Sequence, residues 1–247
     1  MSEERSPAIA LDHVSKSFRG KAVLRDLSLT ITRGETLCIL GRSGTGKSVA
    51  LKLMIALLRP DTGQIKIGGD NIAELEGERL SHVRHKMGFL FQNAALFDSI
   101  SLHDNLALPL RHLTTKSEQE IEEAVDRTLN QVGLASDKKK MPVELSGGMK
   151  KRAGLARALV LEPEILLVDE PCSGLDRITA SEIDDLLLEQ KTKQRTTMVI
   201  VTHDVMGARR VGDRFAVLDQ GGLLAFGTSE ELDHHENTVV RRLLGES

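Results

Sequence analysis

The string GRSGTGKS at 41–48 carries the spacing G-x-x-x-x-G-K-[ST], with Gly41, Gly46, Lys47 and Ser48 at its fixed positions. These residue types suit the binding of a phosphate chain. Glycines let the backbone wrap closely around anionic oxygens, and a helix start offers unpaired N–H groups. Gly41, Arg42, Ser43, Gly44, Thr45, Gly46 and Val49 thus form a candidate cradle with Lys47 and Ser48. The Lys47 ammonium adds a full charge near β- and γ-phosphates, and the Ser48 hydroxyl is a ligand for Mg²⁺. Downstream, EILLVDE at 164–170 ends in two carboxylates. Asp169 is placed to hold Mg²⁺ through water, and Glu170, pointing differently, to polarise an attacking water as general base. His203, in TTMVIVTHD, is a candidate contact for the γ-phosphate and that water.

Each of these groups needs a strand to deliver it. TLCIL at 36–40 is an apolar run of strand length, and VALKLMIALL after the cradle has helix-forming composition. ILLVD and MVIVT read as buried parallel strands, whose C-terminal ends collect ligands in such sheets. Pro171 stops the first of them. Alternation in LSLTIT predicts a β-rich portion over about 8–40, with DTGQIKIGGDNI returning to the sheet. Residues 76–86 read as a helix and 87–92 as a strand. From about 93 to 160 the pattern turns helical: Ser101 caps SLHDNLALPL, and Ile121, Val125, Leu129 and Val132 form a core-facing stripe. Strand–helix alternation resumes over 164–218.

Ser146, Gly147 and Gly148 open a further helix in LSGGMKKR. Taken alone they make either a capped helix or a second anion site. In combination with the other motifs, the chain resembles an ATP-binding cassette (ABC) ATPase from about residue 8 to 228. The resemblance implies an α/β P-loop NTPase fold, with a RecA-like core over 8–92 and 160–228. It also implies an N-terminal antiparallel β portion, an inserted helical subdomain over 93–159, and a short tail over 229–247. It implies ATP and Mg²⁺ as cofactors, and a second copy of the chain packed head to tail. Ser146, Gly147 and Gly148 of one copy then close over ATP held by the other. It further places Gln92 where the Mg²⁺ and attacking water are sensed, Asp176 facing the partner copy, and Phe18 where an aromatic ring stacks on adenine. Met149 replaces the usual signature glutamine, and Phe18 the usual tyrosine; Phe18 also reads as a plain core residue.

The wording ALFDSISLHDNLALPLR and LSGGMKKRAGLARAL, with the ending VRRLLGES, is similar to ATPases of bacterial Mce-type lipid transporters, including the Mla system. That branch implies an integral membrane permease, a substrate-binding Mce-domain protein and a small STAS-domain regulator. Its cargo is phospholipid or another hydrophobic molecule, and its place the cytoplasmic face of the bacterial inner membrane, held peripherally. Organic solvents, drugs and amino acids are the alternative cargoes. QNAALFDSISLHDN reads either as the surface receiving the permease or as buried core.

Composition narrows the alternatives. The net charge of −3 supplies no global basic field, and the chain has six Phe and no Trp or Tyr. A base-stacking nucleic-acid surface is therefore not expected. Nor is a soluble nucleic-acid-linked ABC ATPase, which usually carries tandem cassettes or long coiled coils. Cys38 and Cys172 read as packed thiols of a reducing compartment. The lysine run Lys138–Lys140 reads as solvated, and His234 and His235 carry no metal assignment. The polar start MSEERSPAIA predicts no signal peptide, and no apolar run reaches the ~18 residues a membrane span needs.

Overall fold

The computed structural model describes residues 7–244. The first six residues and the last three of VRRLLGES lie outside that range. Two long strands, β1 (Pro7–Phe18) and β2 (Lys21–Thr32), pair antiparallel. With β4 (Thr62–Ile67) and β5 (Asp70–Asn71) they form a four-stranded sheet in the order β2-β1-β4-β5.

A second sheet has the order β10-β9-β3-β8-β7-β6. Its strands are β3 (Thr36–Leu40), β6 (Met87–Leu90), β7 (Ile165–Asp169), β8 (Thr197–Thr202), β9 (Arg214–Asp219) and β10 (Gly222–Gly227). From β6 to β9 every pairing is parallel, and only β10 runs antiparallel, against β9. Every residue of β3, β7 and β8 is buried, which is why these strands read as unbroken apolar runs rather than alternating ones.

Among the described residues, buried apolar side chains form three clusters. One lies between the two sheets around α1 (Lys47–Met54) and includes Leu24, Leu51 and Val199. A second covers the other face of the parallel sheet, beneath α6 (Arg177–Glu189) and α7 (Val205–Val211). The third binds α3 (Leu102–Leu113), α4 (Glu118–Gln131) and α5 (Gly147–Leu159) into a helical layer. Ile121, Val125, Leu129 and Val132 all face it, as the helical spacing predicts. The helix α2 (Gly77–His85) precedes β6.

Residues 229–244, expected as a tail, form α8 (Ser229–Asp233) and α9 (Thr238–Leu243). Leu232, Val240 and Leu244 are buried in the second cluster. Arg209 of α7 clasps them, donating to Asp233 Oδ2 at 3.0 Å and to the Leu244 carbonyl at 3.1 Å.

The lysine run corrects its sequence reading. Lys138 pairs with Glu122 and, at 2.7 Å, with Asp126, and Lys140 pairs with Asp137 at 2.6 Å. Both ends of the run are therefore tied down, Lys138 by carboxylates of α4 that lie 16 and 12 residues earlier in the chain.

Candidate functional site

Parallel register determines what meets at the sheet's C-terminal edge. Leu40 pairs with Thr202, Asp169 with Val201, and Leu90 with Val168. The residues that leave these strands are Gly41, Glu170, His203 and, after Phe91, Gln92. Four distant segments therefore open onto one edge.

The loop after β3 curls back before α1 begins. Gly46 caps that helix with φ 99°, a backbone that favours glycine, and a Cβ there would lie 2.6 Å from Leu24 Cδ2. The cradle is thus shaped for close backbone approach, and its free N–H groups suit an anion. Lys47 is buried and donates to the Gly41 carbonyl at 2.8 Å and the Arg42 carbonyl at 3.2 Å. Burial lowers its pKa, while Glu170 and then Asp169 oppose that shift. Arg42, Ser43 and Gly44 are exposed along the loop, and Thr45 is buried, its hydroxyl bonded to the Arg42 carbonyl at 2.9 Å. Val49 lies half-buried against the first cluster.

Ser48 Oγ donates to Asp169 Oδ1 at 2.8 Å. A hydroxyl and a carboxylate this close form an oxygen donor set, which fits a hard divalent cation such as Mg²⁺. Glu170 stands between two nitrogen groups: Oε1 is 4.0 Å from Lys47 Nζ, and Oε2 is 2.7 Å from His203 Nδ1. Its backbone is left-handed, with φ 49°. For a non-glycine residue that costs on the order of 1 kcal/mol or more, and such strain concentrates at functional sites. The Glu170 N–H is held by the Val201 carbonyl at 2.8 Å.

Gln92 and His203 are exposed at the same edge. Ser146 and Gly147 are also exposed, at the start of α5, where Gly147 lines a cleft together with Gln92 and Lys151. Ser146 Oγ accepts from Met149 N–H at 3.3 Å, so the capped-helix reading is realised, and the N-terminus remains open to solvent. Asp176 caps α6 in the same way, accepting from the Ile178 and Thr179 N–H groups at 3.0 Å each. Those bonds, the one from Thr179 first, hold its carboxyl below the usual range. Phe18 ends β1 with 41% of its surface exposed and the Lys16 ammonium 5.6 Å from its ring centre, so it is not a core residue. Cys172 lies beside Asp184, and burial, ahead of that carboxylate, pushes its thiol up to about 12.

Sequence reasoning assigned no role to Lys151. It is 7% exposed, and its ammonium donates to the Gln92 carbonyl at 2.5 Å and the Glu170 carbonyl at 2.9 Å. One signal was present. Lys151, Gly154, Leu155 and Ala158 follow helical spacing and share a buried face.

A parallel sheet with a glycine-rich phosphate loop at its edge, an acidic pair on a neighbouring strand and an exposed serine–glycine helix start defines an ABC-type ATPase cassette. Comparison with known proteins agrees. Residues 24–173 match the family model described as ABC transporter. The chain is 46% identical over 237 residues to a probable ribonucleotide transport ATP-binding protein, mkl, of Mycobacterium tuberculosis. That match covers 96% of this chain and 66% of the relative, so the chain spans just under two thirds of that protein's length. It is 38% identical to the intermembrane phospholipid transport system ATP-binding protein MlaF of Escherichia coli, covering 98% of this chain and 90% of MlaF. A dimeric ATP-binding cassette solved in a post-hydrolysis state with ADP and Pi superimposes with a TM-score of 0.83 at 31% identity, covering 89% of this chain and 98% of that one. The chain belongs to the ABC transporter family.

Proposed function

We propose that this chain is the ATP-hydrolysing motor of a membrane transporter that moves phospholipid. The observation that carries the motor reading is the convergence of Lys47, Ser48, Asp169, Glu170 and His203 at one sheet edge. Lys47 and the cradle N–H groups bind the phosphates, and Ser48, Asp169 and Gln92 hold Mg²⁺. The metal, when bound, supplies Lewis-acid stabilisation of charge on phosphoryl oxygens. Glu170 takes the proton from the attacking water, and His203 orients the γ-phosphate while holding the Glu170 carboxylate in place. Phe18 stacks on adenine from its exposed strand end. Ser146, Gly147, Gly148 and Asp176 serve the site of a second copy, so turnover requires a head-to-tail dimer.

The permease docks beside the segment that follows β6. A cleft of about 200 Å³ there is lined by Phe89, Phe91, Ala94, Pro109, Gly154 and Leu161. Phe97 stands on the surface with 46% of its area exposed and the Arg157 guanidinium 4.9 Å from its ring centre. Ala94 by contrast is buried, so the segment read as either docking surface or core divides between the two. Among the described residues no helix is long and apolar enough to cross a membrane, so the membrane path belongs to the partner.

The names of the relatives point to two cargoes, ribonucleotide for mkl and phospholipid for MlaF. The match that spans nearly the whole of both chains favours phospholipid. On that reading an Mce-domain protein and a STAS-domain regulator complete the assembly, at the cytoplasmic face of the inner membrane. The test is to purify the full chain with the membrane protein that accompanies it. Turnover of ATP should stop on chelation of Mg²⁺, and the complex should carry phospholipid detectable by mass spectrometry. A complex that carries no phospholipid would refute the cargo. Metal-independent or absent turnover would refute the motor.

A further inference from the structure

The backbone at Glu170 is strained, and something must hold it. Three hydrogen bonds do so. The N–H is held from β8 by the Val201 carbonyl, and the carbonyl accepts from the Ser173 N–H at 3.3 Å, within its own loop, and at 2.9 Å from Lys151, the one tie that comes from α5. The same ammonium also grips the Gln92 carbonyl. One side chain thus ties together the two segments that leave β6 and β7, each carrying a residue of the candidate site. The tie is close-fitting. A Cβ on Gly154, one turn along α5, would lie 2.8 Å from Ala94 Cβ, so the helix and the Gln92 segment are packed as near as backbones allow.

A buried lysine that touches only backbone oxygens is costly to keep unless both bonds are made. Burial lowers its pKa, and the nearby Cys172, Glu170 and Asp169 counter that shift. The placement also reaches beyond this site. Lys151 stands five residues after Ser146, on the helix whose exposed N-terminus serves a second copy.

We propose that Lys151 is a positioning residue, which fixes the Glu170 peptide and the Gln92 carbonyl to the helix headed by Ser146. This rests on the reading of Glu170 as the base. Through Lys151, the helix that meets one ATP is anchored to the base that acts on the other. Movement of α5 as two copies close therefore moves the carboxylate of its own chain into register.

The experiment compares Lys151→Met, Lys151→Ala and Lys151→Gln in the full chain, alone and in its membrane complex. Lys151→Met removes the donors and keeps most of the volume, whereas the Gln amide retains two N–H donors. The expected kcat of Lys151→Met is about 10–100-fold below wild type, the loss that a small misplacement of a reacting group produces. KM and ATP affinity stay within about twofold, because a positioning effect confined to the chemical step leaves binding intact. Lys151→Gln recovers most of the rate. In single-turnover assays on a Glu170→Gln background, Lys151→Met costs less than about threefold more, since residues acting as one unit are non-additive.

A kcat for Lys151→Met within about threefold of wild type overturns the proposal, as does an undiminished loss on the Glu170→Gln background. Lys151→Gln no better than Lys151→Met also overturns it. So does collapse of the fold in both truncations, seen as loss of the cooperative melt, which would make Lys151 a stability element only. A wild-type chain without ATP turnover refutes the motor reading instead, so the two failures are distinct.

Discussion

His203 Nδ1 lies 2.7 Å from Glu170 Oε2, joining the ends of two parallel strands whose pairing places Asp169 opposite Val201. The contact links the proposed base to its orienting partner. It also fixes one carboxylate oxygen, leaving the other turned toward Lys47. Replacing Glu170 by Gln keeps this shape and removes the proton acceptor. Turnover should fall by roughly 10²–10⁴, the range assigned to a general base, while ATP stays bound. Steady-state ATPase rates beside equilibrium binding of a fluorescent ATP analogue give the answer, and normal turnover would remove Glu170 from the mechanism.

Ser146 and Gly147 are exposed at the start of α5, where the proposed dimer has a second copy meet them. Ser146→Arg introduces bulk there and should block ATP-dependent dimerisation while leaving ATP binding to the monomer intact. Light scattering with ATP and Mg²⁺ distinguishes the two states. Mixing this variant with Lys47→Ala should restore part of the activity, because one composite site can still assemble from intact halves. Zero recovery would argue for sites built within single chains.

Gly154 admits Ala94 where a side chain would collide. Gly154→Val should destabilise the protein by about 1–3 kcal/mol, the usual cost of overpacking. It should also slow turnover in the membrane complex by displacing the segment that carries Gln92. Urea denaturation measures the first effect. An unchanged midpoint would mean the two backbones separate freely.

Asp184 is buried beside Asp204, and burial first, then that carboxylate, raises its pKa above the ordinary value. The folded protein therefore binds its proton more tightly than the unfolded chain. Stability must fall as pH rises from the unfolded value through the folded one. Asp184→Asn removes this penalty and keeps an acceptor for the Cys172 thiol. The variant should be more stable than wild type at pH 8, by a margin that shrinks toward pH 4.5. A margin that grows on acidification would invert the assignment.

Much of this architecture could be read in the sequence because burial writes itself into composition. β3, β7 and β8 lie where the apolar runs TLCIL, ILLVD and TMVIVT place them, since strands covered on both faces need no alternation. The caps at Ser101 and Ser146 were equally visible, because a cap is a local bond. What depends on distant partners was not. The helix after the phosphate loop ends at Met54, although IALL that follows is good helix-forming sequence. Arg84 of α2 donates to the Ile55 and Ala56 carbonyls at 3.0 and 2.8 Å, satisfying the chain where the helix stops. Ala56 itself turns left-handed. The ion pairs of Lys138 were hidden for the same reason. So was the left-handed peptide of Glu170, which no residue type announces.

The clasp made by Arg209 reaches the site from an unexpected direction. It sits on the helix that begins two residues after His203, and it grips the pair of helices that closes the second cluster. Shortening the protein at residue 228 for convenience would strip Leu232, Val240 and Leu244 from their shelter and unfasten that grip. The imidazole would then hang from a loosened support, so a trimmed version should lose catalytic vigour before it loses its shape.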